Sequence, residues 1–61
     1  MRSWSILTAD GGQIVEALQA TERDARAAAQ RIADERGAAV ELYPVDGPDE
    51  SEWFEPDNRL S

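Results

Sequence analysis

Between Thr21 and Gly37 the chain commits to a helix whose inner face is almost all alanine, and that face limits what the rest can fold into. Thr21 is a good N-cap, and Glu22 and Asp24 place negative charge in the first turn, where the helix dipole favours it. Ala, Arg, Glu and Gln dominate residues 22–36, all strong helix formers. Gly37 follows as a left-handed terminator, with Arg36 in the last turn. Ala25, Ala28, Ala29 and Ile32 fall at i, i+3, i+4 and i+7, and only Ile32 is large. The physical consequence is close approach: small side chains let the helix axis sit near the sheet that the flanking segments would form. On the outer side Glu22 precedes Arg26 by four residues and Arg31 precedes Glu35 by four, pairs that contribute only a few tenths of a kcal/mol.

Residues 3–9 are rich in strand formers and partly alternate, and residues 13–19 read as a returning strand. Asp10-Gly11-Gly12 between them is a strong tight-turn signal, because glycine accepts positive φ at no steric cost. The register stays open. A two-residue turn groups Trp4 and Ile6 with Val15 and Ala17; a three-residue loop groups them with Ile14 and Leu18. In both cases Leu7 falls on the face opposite Trp4 and Ile6. After the helix, residues 38–45 read as a third strand with Val40 and Leu42 toward the helix and Glu41 and Tyr43 away from it. Pro44 marks a strand end or an edge position, since it lacks a ladder donor.

The expected fold class is therefore α+β: a ββαβ domain over residues 1–47, with one helix on a small, mainly antiparallel sheet. The simplest strand order is 2-1-3, with the third strand antiparallel to the first. Residues 48–61 change character, as prolines and acidic residues surround Trp53-Phe54. They form an acidic tail, or a turn at Asp46-Gly47-Pro48 followed by a short fourth strand around 51–55.

Composition removes most chemistry. The 61 residues contain no histidine and no cysteine, and the six basic residues are all arginine. Without His or Lys nothing can activate Ser3, Ser5, Thr8, Thr21, Ser51 or Ser61 as nucleophiles. A chain so short also has little scope for a concave pocket. An enzyme is not expected, and neither is a cofactor. The acidic residues Asp46, Asp49, Glu50 and Glu52 lack the ordered ligand spacing of a calcium loop, and Pro48 interrupts them, so they read as a solvated charge run and no metal is expected. Gly11-Gly12 joins two strands rather than a strand to a helix, which rules against a phosphate cradle. With 13 acidic residues and a net charge of −7, the chain is repelled by phosphate backbones and anionic lipid. Neither nucleic acid nor membrane is an expected partner. The first apolar stretch is short and broken by Ser3, Ser5 and Thr8, so a cytoplasmic protein is the expectation.

What remains is a problem of coverage. One helix hides one face of the sheet, and the other face should show Leu7, Tyr43 and Val45. A contiguous apolar patch of that kind marks an interaction surface. A second copy of the chain, the Trp53-Phe54 segment or a different protein could cover it. Trp53 and Phe54 themselves have two readings: an aromatic anchor for a partner's pocket, or a cap folded back on the domain's own thin core. The candidate partner-binding residues are thus Leu7, Tyr43, Val45, Trp53 and Phe54.

The run Trp4-Ser5-Ile6, the glycine turn, the second strand, Thr21-x-x-Asp24-Ala25-x-x-Ala28-Ala29-x-x-Ile32-Ala33, Gly37 and a strand ending near Asp46-Gly47 resembles short bacterial ββαβ domains of unknown function. It is similar in outline to the HicB-like antitoxin scaffold. The resemblance spans residues 3–47, implies the ββαβ plan and dimer formation, and transfers no active site. A DNA-binding segment such as many of these antitoxins carry is not expected, since the acidic charge argues against one. Three functional readings remain: a small non-catalytic interaction or regulatory module, homodimeric or bound to another protein; an acidic mimic of nucleic acid that occupies a basic groove; or a subunit whose tail completes another protein's core.

Overall fold

The computed structural model describes residues 1–47 and 51–57. Strand β1 (Arg2–Thr8) is followed by β2 (Ile14–Ala20), helix α1 (Glu22–Arg36), β3 (Val40–Pro44) and β4 (Glu52–Phe54). The strands form one antiparallel sheet in the order β2-β1-β3-β4, with α1 on one face. The fold is α+β, and the 2-1-3 order expected from sequence gains β4 at its open edge.

The helix ends are built as their residue types require. Thr21 Oγ1 accepts the Asp24 N–H at 3.2 Å, and Gly37, at φ 67°, donates its N–H to Ala33 O at 2.9 Å. Ala25, Ala29, Ile32 and Ala33 are buried, with Ala28 half-buried beside them. They face Trp4 and Ile6 of β1 and Val40 and Leu42 of β3, the large members of the core. Trp4 buries its ring and donates Nε1–H to Ala20 O at 2.9 Å, so its one polar atom is satisfied. That bond ties the first strand to the residue just before the N-cap.

The hairpin resolves its register by combining both sequence readings. The loop has four residues, 9–12, closed by Thr8 N–H to Gln13 O at 2.8 Å and Gly12 N–H to Thr8 O at 2.9 Å. Gly12 takes φ 66°, the conformation that calls for glycine at this turn. Leu7 pairs with Ile14, but Ile6 pairs with Glu16, so Val15 is an extra residue in β2. Before this bulge the strand follows the parity of an even loop; after it, Trp4 pairs with Leu18 as an odd loop would require. The bulge lets both Val15 and Leu18 pack against the core, which neither uniform register allows.

Pro44 ends β3 opposite Trp4. The Val45 N–H points to β1 and bonds Ser3 O at 3.0 Å, so the Pro44 nitrogen faces the β4 side, beyond the last β4 pair, Leu42 with Glu52. No ladder donor is lost, and the buried ring closes the core instead.

This packing gives a sharp contrast between neighbouring alanines. Ala29→Leu, pushed between helix and sheet, should lower stability by about 1–3 kcal/mol, a drop of roughly 4–8 °C per kcal/mol in a domain of this size. Ala27→Leu, on the exposed side, should change it by less than about 0.5 kcal/mol. Thermal unfolding followed by circular dichroism measures both.

Candidate interaction face

Strand alternation divides the side chains into two populations. Trp4, Ile6, Val40 and Leu42 enter the core, so Ser3, Ser5, Leu7, Glu41 and Tyr43 stand on the face away from α1. The pairings add Ile14, Ala17 and Gln19 from β2 and Trp53 from β4 to that open face. One row across it reads Ile14, Leu7, Glu41, Trp53; the next reads Ala17, Ser5, Tyr43. Val45 continues the face beside Ser3.

The face has relief. Tyr43, Val45 and Trp53 are 44%, 52% and 57% exposed and form a ridge over the β3–β4 side. On the β1–β2 side the small residues Ser3, Ser5 and Ala17 line a shallow hollow of about 410 Å³, bounded by Gln19 and Val45. Ile14, 67% exposed, stands on the same face beside Leu7, near the hairpin loop. Exposed apolar side chains scattered singly need no explanation, but these share one sheet face.

The electrostatics separate this face from the rest of the molecule. Among the described residues its only charged strand residue is Glu41, in the end row of the sheet. Most of the other charges lie on α1 and the sheet ends, and Glu16 of β2 pairs with Ile6 on the helix side. Arg26 binds Glu22 at 3.0 Å and Glu52 at 3.1 Å, and Arg31 binds Glu35 at 3.7 Å. Arg2 stacks over the Trp4 ring at 5.0 Å and binds Asp46 at 3.6 Å. Asp46 and Glu52 therefore engage arginines on different elements rather than a common centre, while Asp49 and Glu50 lie outside the described residues. The described residues contain no cluster of three or more metal-ligating side chains.

Four of the five residues singled out from sequence, Leu7, Tyr43, Val45 and Trp53, come together on the open face. Phe54 lies on the other face of the sheet. It pairs with Val40, packs against the core and points to the helix side, because adjacent residues of one strand cannot share a face. The two readings of the aromatic pair thus divide between its members: Phe54 caps the core and Trp53 is left exposed. Sequence reasoning left the place of Ile14 open and missed the hollow of Ser3, Ser5 and Ala17. The alternation of Ser3 and Ser5 with Trp4 and Ile6 was the available signal for small residues outside. No family model, curated protein or solved structure matches the chain.

The two aromatics should respond differently to truncation. Phe54→Ala should cost about 1–3 kcal/mol of stability for a partly buried ring. Trp53→Ala should leave the stability of the dilute chain within about 0.5 kcal/mol. Equal losses from the two, measured by urea unfolding at low protein concentration, would contradict this division of the strand.

Proposed function

We propose that the protein is a non-catalytic interaction module that works as a homodimer joined through the open sheet face. The carrying observation is the ridge of Tyr43, Val45 and Trp53 beside a hollow of small residues on the same face, which supports self-complementarity. Two such faces related by a two-fold axis running along the strands would set Tyr43 of one copy over Ser5 of the other. Val45 would then lie over Ser3, and Trp53 over Ile14. This is an isologous contact, closed at two copies.

Charge supports the same occupant. A partner rich in Lys or Arg would find few carboxylates on this face, whereas a second copy needs no counter-ion there. Glu41 sits in the end row, where its stem covers apolar surface and its carboxylate reaches water. The face measures about 20 Å by 20 Å, so the total buried area falls at the low end for specific complexes. The dimer is accordingly weak and concentration-dependent.

The non-catalytic reading rests on the missing histidine, cysteine and lysine side chains. The absence of cysteine also supports the cytoplasm, since small secreted domains usually depend on disulfides. Among the described residues no helix is long and apolar enough to cross a membrane. The order hairpin, Thr-capped helix, strand supports kinship of plan with the HicB-like scaffold, with β4 added.

Salt separates this reading from mimicry of nucleic acid. Two copies at net charge −7 repel, so screening should strengthen self-association. Light scattering across a concentration series should show a monomer–dimer equilibrium that shifts toward dimer between low and moderate salt, and Ser5→Arg should abolish it. A monomer at every concentration and salt would overturn the proposal. Capture of a basic protein with an affinity that salt weakens would favour the mimic instead.

A further inference from the structure

The open face depends on β4, and β4 is held from the opposite side of the sheet. Strand β4 has three residues, and its ladder pairs are Phe54 with Val40, Trp53 with Glu41 and Glu52 with Leu42. So short an edge strand is a poor platform for an exposed tryptophan. Helix α1 compensates with a polar stripe, Arg26, Gln30 and Asp34, spaced one turn apart. Arg26 Nε meets Glu52 Oε1 at 3.1 Å, and Gln30 Nε2 donates to Glu55 O at 2.7 Å. Asp34 Oδ1 accepts the Asp57 N–H at 2.7 Å and also accepts from Gln30 Nε2 at 3.1 Å. Gln30 and Asp34 thus grip the backbone just beyond β4, while Phe54 packs against the core on the helix side. Because the strand alternates, every contact that pins Phe54 inward turns Trp53 outward.

We propose that Gln30 and Asp34 are positioning residues for docking: from the helix side they fix β4 and so build the Trp53 end of the ridge on the far face. This deepens the homodimer reading and rests on it. The two residues touch nothing on the open face, so any influence on self-association passes through the strand.

A double-mutant cycle in the full chain tests the assignment. Gln30→Ala with Asp34→Ala should raise the dimer dissociation constant about five- to tenfold, the scale of lost hydrogen bonds, and should speed amide exchange at Phe54 but not at Ile6. With Trp53→Ala already in place the same pair should change the constant by less than about twofold, whereas with Tyr43→Ala in place the full effect should persist. Arg31→Ala, elsewhere on the helix, is the control and should leave self-association unchanged. A full effect that survives Trp53→Ala would mean the helix residues act through general stability, and the assignment falls. It also falls if the pair has no effect while Trp53→Ala and Tyr43→Ala each weaken the dimer. If neither Trp53→Ala nor Tyr43→Ala alters self-association, the docking face itself is wrong and this inference goes with it.

Discussion

Close contact between three buried alanines and a strip of large aliphatic and aromatic side chains is the interaction on which the structure depends. Ala25, Ala29 and Ala33 contribute almost no volume, so Trp4, Ile6, Val40 and Leu42 fill the space between helix and sheet. This division of labour suits a short chain. The helix keeps its strongest formers on its inner side, the sheet keeps the β-branched and aromatic residues, and neither local preference conflicts with the packing. The same arrangement leaves the protein one-sided. A helix of this width shields only one face of the strands, and Leu7, Ile14, Tyr43, Val45 and Trp53 are left on the other.

Several local devices hold the sheet to that arrangement. The bulge at Val15 adds a second β2 side chain to the core without turning Leu18 outward. Pro44 occupies a position whose missing donor would have faced no partner. The Trp4 indole bonds Ala20 O and so links the first strand to the start of the helix. These devices all act on the helix side. The opposite face shows ordinary alternation, with Ser3, Ser5 and Ala17 small on β1 and β2, Tyr43 and Trp53 large on β3 and β4, and Leu7 and Ile14 at the hairpin end. That asymmetry turns an uncovered face into one with a ridge and a hollow, and it is the physical ground for the proposal that a second copy covers it.

The fold was legible where the signal was local. Thr21, Gly37 and the alanine spacing define the helix with its ends, and alternation in 38–45 assigns Val40, Leu42, Glu41 and Tyr43 to their faces. The hairpin was legible only as a hairpin, because loop length and bulge position depend on which side chains the core can admit. For the candidate site, Leu7, Tyr43 and Val45 followed from alternation alone. Trp53 and Phe54 could be recognised as informative but not separated, since either parity of a short strand satisfies the sequence. The Arg26-Gln30-Asp34 stripe gave no sign beyond its spacing, for its partners, the Glu52 carboxylate, the Glu55 carbonyl and the Asp57 amide, lie on a distant segment.

The linear chain by itself determined what this protein lacks and what it must bury: no imidazole or thiol for chemistry, a large surplus of carboxylates, a capped helix and apolar strands to lie beneath it. Tertiary structure alone decided which side chains are left over. Burial is a contest among all segments for one small core; the winners, Phe54 among them, turn inward. Their neighbours, Trp53 foremost, are then forced out by the two-residue period of the strand, a result that no single stretch of sequence contains.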